Sequence, residues 1–188
     1  MADEFWTSAN SAPKRNFRFL VMLGADIVWW AKTVSTPSYD VAEVEHNFLD
    51  NKFYFPGRVS WSDVSMTLVD PVSPDAVKKT NEYVIGATVA GGPNYKIKDE
   101  NAAKTTPLTI SKSKAVAALG TVNISILDPN GVQVEGWVLK NAWIKSAKYG
   151  DLDYSNDDLR TIELSIRYDW AECATADGTG QFTTNLPS

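Results

Sequence analysis

The stretch Arg160–Tyr168 constrains this chain more than any other. Ile162, Leu164, Ile166 and Tyr168 alternate without a break against Thr161, Glu163, Ser165 and Arg167. Successive side chains on a strand point to opposite faces, so this is a β-strand with one buried face and one wet or contacting face. Trp137–Lys148 reads as one or two more strands broken near Lys140-Asn141. Between the two halves, Tyr149–Asp158 is a loop of turn-forming residues.

The rest of the chain has the same texture. Asn16–Leu23 and Ile27–Val34 read as a first hairpin across Gly24-Ala25-Asp26, and Thr36-Pro37-Ser38 ends the pairing. Tyr39–Phe55 reads as a second hairpin with a tip at His46–Asn51, and Pro56-Gly57 as a further turn. Val59–Val69 follows, with Val64, Met66 and Leu68 on one face. Gly120–Leu127 is a strand with Val122, Ile124 and Ile126 inward, and Asp128-Pro129-Asn130-Gly131 is a turn. One helix is expected over about residues 74–90. Ser73 would be its N-cap, Pro74 its first residue, and Gly91-Gly92-Pro93 its stop. Ser111–Leu119 reads as a short helix or a continuing loop. The sum is a mainly β fold, an antiparallel sandwich or barrel with one flanking helix. Residues 1–15 form an arm, 16–172 the β domain with an unassigned insertion at 94–119, and 173–188 a tail.

Composition excludes several functions. Twenty-three acidic residues against eighteen basic ones leave a net charge of −5, which argues against tight nucleic-acid binding. The single cysteine, Cys173, rules out an internal disulfide. No apolar run has the length of a membrane-spanning helix. Met1–Asn16 has no apolar stretch and does not read as a secretory signal.

No catalytic constellation stands out. His46, the only histidine, sits at a hairpin tip with no G-x-S-x-G elbow anywhere. Cys173 has no base marked out beside it. Counted from Asp151, the loop Asp151, Asp153, Asp157, Asp158 places Ser155, Asn156 and Ile162 where an EF-hand needs Asp or Asn, Gly and Glu. That pattern fails; calcium loops with looser rules stay open. Seven tryptophans suit a core, a subunit interface or a carbohydrate platform. Trp29-Trp30 is the informative pair, because neighbours on a strand face opposite sides and one of them must leave the core.

Several segments resemble the tail tube proteins of contractile-tailed bacteriophages. They are Asn16-Phe17-Arg18-Phe19, Lys32–Pro37, Asn51-Lys52-Phe53 with Phe55-Pro56-Gly57-Arg58, Trp61–Asp70, Ile126–Gly131, Trp137–Ile144, Gly150–Ser155 and Tyr168-Asp169-Trp170. The order is the family's throughout; Asn94–Leu119 and the segment beyond Glu172 depart from it. The family is similar also to the tube protein of type VI secretion. The resemblance implies a non-enzymatic virion protein without a cofactor. It implies six-membered rings that stack as the inner tube, assembled in the host cytoplasm. The partners implied are other copies, a sheath outside, a baseplate and tail terminator at the ends, and DNA and a tape measure protein transiently inside. A related injection or secretion tube is the near alternative. A carbohydrate-binding sandwich is the alternative from another class, and a β-rich hydrolase lacks any supporting constellation.

The dimensions fit a tube. Four strands from each of six copies would close about 24 strands, which at about 4.8 Å spacing and a tilt near 40° gives a backbone diameter of about 48 Å and under about 40 Å clear. Closure also removes sheet edges, and acidic walls would let a polyphosphate slide. The contact candidates are His46, Asn47, Phe48, Leu49, Asp50 and Asn51 between rings, together with the arm. Trp29, Trp30, Trp137, Trp143, Asp151, Asp153 and Tyr154 are the candidates between subunits.

Overall fold

A computed structural model describes residues 13–85, 111–155, 157–176 and 182–184. The expected helix positions Ala87 and Ala90, and most of the unassigned insertion, lie outside these residues.

The described residues form two packed sheets, a separate two-stranded ribbon and two short helices. In chain order the strands are β1 (Phe19–Leu23), β2 (Asp26–Ile27), β3 (Ala31–Val34), β4 (Tyr39–Phe48), β5 (Asn51–Trp61) and β6 (Val64–Val69). Helices α1 (Ala76–Ile85) and α2 (Lys112–Leu119) follow. Then come β7 (Val122–Leu127), β8 (Gln133–Lys140), β9 (Trp143–Lys148), β10 (Thr161–Arg167), β11 (Trp170–Ala176) and β12 (Phe182–Thr184). One sheet has the order β12-β11-β8-β7-β1-β2, the other β3-β6-β10-β9, and β4-β5 stand alone. Every pairing is antiparallel.

The core lies between the sheets. From the six-stranded sheet, Val21, Leu23, Val122, Ile124 and Leu139 point inward; from the four-stranded sheet come Val64, Met66, Leu68, Ile162, Leu164, Ile166 and Tyr168, all at 3% exposure or less. The alternation along β10 therefore marks its buried face as expected. Ala76 of α1 and Leu119 of α2 add to the same cluster, and Thr80 of α1 is buried as well. Each fully buried Leu or Ile contributes about 1.5–3 kcal/mol.

The break between β8 and β9 falls at Asn141, which takes a left-handed φ of 54°, a conformation Asn tolerates. Its side-chain amide bonds Asp169 at 2.8 Å, and Lys112 bonds the same carboxylate at 2.6–2.7 Å. The Asp128 turn is closed by its own carboxylate, which accepts from the Asn130 and Val132 amides at 2.8 and 2.7 Å.

Several sequence expectations give way. Only Asp26-Ile27 returns along β1. Val28 is buried, Trp29-Trp30 form a turn, and β3 crosses to the other sheet to pair with β6. The helix begins at Ala76, not Pro74, because Asp75 is the cap: its carboxylate accepts from the Lys78 amide at 2.9 Å. Ser111–Leu119 resolves as a helix, with Ser111 accepting from the Lys114 amide and Gly120 ending it at φ 71°. Pro56-Gly57 is no turn. It lies within β5, where the pairing slips between Val41 and Glu43 and two residues, Gly57 and Arg58, oppose Ala42. This is a β-bulge. A Cβ on Gly57 would come within 2.9 Å of the Ala42 carbonyl oxygen, so the close approach requires glycine. Beyond Glu172 the chain continues as β11 and adds β12 to the sheet edge.

Candidate assembly surfaces

The ribbon β4-β5 is the feature that a lone subunit explains least. Every residue of β4 is exposed, and so is every residue of β5 but Trp61. A two-stranded ribbon by itself is marginally stable. Its root is pinned instead. Trp61 stacks between Tyr39 at 5.2 Å and Tyr168 at 5.8 Å, and the Ser62 amide donates to the Ser38 carbonyl at 2.9 Å.

The register gives the ribbon two unlike faces. The pairs Val44–Phe55 and His46–Phe53, and Phe48 beyond them, share one side; Glu45–Tyr54 and Asn47–Lys52 share the other. The polar side carries a Glu45–Lys52 ion pair at 3.0 Å. The apolar side leaves Val44, Phe48, Phe53 and Phe55 each at least half exposed. At the tip, Leu49 is 86% exposed and holds φ at 54°. A branched side chain pays about 1–2 kcal/mol for that conformation, so local folding alone favours glycine there. The candidates His46 to Asn51 thus all lie on the exposed tip, and Phe53, Phe55 and Val44 extend them. The alternation of large apolar residues in both arms was the signal that could have found these three.

The second set of candidates does not form one cluster. Trp29 is 65% exposed and meets half-buried Trp30 edge to face at 5.5 Å. Trp30 and Trp137 pack against the core, and the Trp137 indole donates to Glu135 at 2.7 Å. Trp143 is half-buried on β9 opposite Arg167. Asp151, Asp153 and Tyr154 are exposed on the loop after β9. Asp153 accepts from the Ser155 amide at 2.9 Å and its hydroxyl at 2.7 Å, which holds its carboxyl below the ordinary range. Trp30, Trp61, Trp137 and Trp143 are at least half-buried, which leaves Trp29 and Trp170 as the exposed tryptophans among the described residues.

The outer face of the four-stranded sheet has its own chemistry. Pairing aligns Ser65 with Ser165 and Ser165 with Ser146. The Ser65 amide donates to the Ser35 hydroxyl at 2.9 Å. A row of serines therefore crosses the sheet at right angles to its strands. The next row is Thr33, Thr67, Glu163 and Lys148. Beyond the serines, Asp63 bonds Lys145 at 2.6 Å and Arg167 at 2.8 Å, and those two bonds, Lys145 first, hold its carboxyl below the ordinary range. No composition signal reveals this row, because it exists only once the register is known.

His46 is exposed on the ribbon. Cys173 lies within β11, and burial, followed by the charge of Glu135, pushes its thiol pKa up, the opposite of an activated nucleophile. Among the described residues no group of three His, Cys, Asp or Glu is placed to hold a metal ion, and no helix is long and apolar enough to cross a membrane.

No protein-family model matches the chain, and no curated protein matches it. Solved structures do. A chain in the cryo-EM structure of the anti-feeding prophage cap, the tube-terminating cap, superposes with a TM-score of 0.63 at 17% identity, covering 93% of this chain and 97% of that one. A chain in the sheath/tube terminator of an extracellular contractile injection system gives 0.60 at 16% identity, covering 86% and 96%. One in the sheath-tube complex of the same kind of system gives 0.57 at 17%, covering 89% and 95%. At these identities the likeness is one of fold, and it spans nearly the whole of each chain: the sandwich with its flanking helices is the fold found in the tube and cap assemblies of contractile injection systems.

Proposed function

We propose that this chain is a structural subunit of the tube of a contractile tail, closing with identical copies into six-membered rings that stack into a hollow conduit. The observation that carries the reading is the exposed ribbon. An amphipathic two-stranded element with open edges and an uncovered apolar face is costly in a solitary molecule and useful in a stack of copies. The full-length likeness to chains of tube and cap assemblies supports the same reading.

In this reading the four-stranded sheet faces the bore, with edge strands β3 and β9 meeting head to tail. The two are antiparallel to one another through β6 and β10, so a neighbour's β9 continues the alternation beside β3. The wall would then be a belt of hydroxyls with charges nearly balanced, Glu163 and Asp63 against Lys148, Lys145 and Arg167. This amends the acidic wall expected from net charge. Sliding would follow from weak, uniform contacts instead of repulsion. The ribbon and the arm reach the next ring. A sheath outside, a baseplate and terminator at the ends, and DNA with a tape measure protein inside complete a phage tail in a virion. An injection-system tube is the second reading, favoured by the assemblies in which the fold likeness is found.

Sedimentation velocity over a concentration series tests the proposal. A ring species of six 20.7 kDa chains, giving way to longer polymers, is expected; a single monomer boundary at every concentration overturns it.

A further inference from the structure

The four-stranded sheet has a basic cleft along one edge and an acidic, apolar loop leaving the other. The cleft, about 510 Å³, opens beside β3. Arg15, Arg18 and Lys32 stand around a floor that includes Phe19 and Ile126. Lys14, on the same rim, is held by Glu135. Arg18 also stacks its guanidinium 5.2 Å from the Phe17 ring, which leaves its charge at the surface. At the other edge, β9 ends at Lys148 and the chain enters a loop with carboxylates at Asp151, Asp153, Asp157 and Asp158. Between them Leu152 is 81% exposed and Tyr154 fully, and Leu159, directly after them, is 73% exposed.

Charge and apolar surface match on the two features. A loop that exposes three large apolar side chains beside four carboxylates lacks a cover, and an apolar floor ringed by cations lacks an occupant of opposite charge. Their places in the sheet also match. Head-to-tail association brings the β9 edge of one copy beside the β3 edge of the next, which is a heterologous contact that closes as a ring. The loop follows β9 directly, at the end of the sheet where β3 begins: Lys148 lies opposite Glu163, Glu163 opposite Thr67, and Thr67 opposite Thr33.

We propose that the cleft of each copy takes the Asp151–Asp158 loop of its neighbour, with Arg15, Arg18 and Lys32 meeting the carboxylates and Leu152 or Tyr154 seated over Phe19 and Ile126. This rests on the ring reading above and names the contact that orders it. Lys32 also flanks the loop of its own chain, so the test must separate contact between copies from contact within one.

Two variants do so. The first carries Asp151→Lys, Asp153→Lys and Asp157→Lys, so that its loop and cleft are both positive. The second carries Arg18→Glu with Lys32→Glu, so that both are negative. Each alone is expected to keep the wild-type melting curve and to lose more than tenfold of its pelletable assembly. Mixed in equal amounts, each loop finds an opposite cleft on the other variant, and assembly returns. A contact within one chain gives no such recovery, so a mixture that stays inert overturns the proposal, as does full assembly of either variant alone. Should either variant misfold, a Lys32→Cys chain mixed with a Leu152→Cys chain, both also Cys173→Ser, is expected to oxidise to a covalent dimer of the two that neither chain forms alone, and a mixture that stays monomeric overturns it. Wild-type protein that never assembles removes the ring reading itself, whereas wild-type tubes beside an inert mixture remove only this contact.

Discussion

Arg167 reaches Asp63 at 2.8 Å and, with the same guanidinium nitrogen, the Trp61 carbonyl at 2.9 Å. One side chain of β10 thus ties the root of the ribbon to the sheet that carries the core. Replacing Arg167 with Met leaves the Trp61 carbonyl and the Asp63 carboxylate each short of one partner. The pair is partly solvated, so the expected loss is modest, about 1–2 kcal/mol. Urea denaturation of the monomer measures it. Assembly should suffer more than stability, because the ribbon loses its aim.

The acid limb of stability follows from Asp26, Asp63 and Asp169. Each has its carboxyl held below the ordinary range, chiefly by a hydrogen bond from Lys79, Lys145 and Lys112 respectively. A carboxylate depressed in the folded state stabilises above the unfolded value of about 3.9. That stability is lost as pH falls through the lower folded value. The melting temperature should therefore be flat at neutral pH and fall below about pH 4. Asp63→Asn should lower the plateau and shrink that fall, as read by thermal scans from neutral to acid pH.

The ribbon separates folding from assembly. Phe53 and Phe55 are at least half exposed in the monomer, so Phe53→Ser with Phe55→Ser should change unfolding free energy by less than about 1 kcal/mol. The same pair should abolish long polymers. Deleting Glu45 to Asn51 should likewise leave a folded subunit that forms no long tubes. Light scattering of folded, purified variants reads the outcome, and unimpaired polymerisation would remove the ribbon from the contact.

Leu49 gives a prediction of opposite signs. Leu49→Gly relieves the left-handed strain at φ 54° and should stabilise the monomer by up to about 1 kcal/mol, after the entropic cost of glycine. It also removes the apolar tip, so it should weaken assembly. Chemical denaturation and the critical concentration for assembly report the two effects independently.

The core sets the scale against which these are small. Leu164→Ala, at a residue 2% exposed between Ile162 and Ile166, should cost about 2–5 kcal/mol. Equilibrium unfolding measures it directly.

What was legible in the sequence was what depends on neighbours along the chain. The alternation from Ile162 to Tyr168, the Asp128 turn and the break at Asn141 are local patterns with local causes. What depends on distant partners was not legible. Nothing near Ala31 says that β3 leaves its hairpin for β6, because period two marks a face and not a sheet. Pro56-Gly57 carries a turn signature, yet its glycine serves the close approach of Ala42. Ser73-Pro74 has the composition of a helix start, and Asp75 wins by reaching the Lys78 amide. The candidate surfaces divide in the same way. The hairpin tip could be found from its exposed Phe48-Leu49, whereas Arg167–Asp63, the serine row and the basic cleft are joined only by register across the sheets.

Electron microscopy of the purified chain tests the central claim most directly. The account predicts six-fold rings stacked into hollow rods with a bore of under about 40 Å. Particles of single-subunit size, persisting as the concentration is raised, would contradict it.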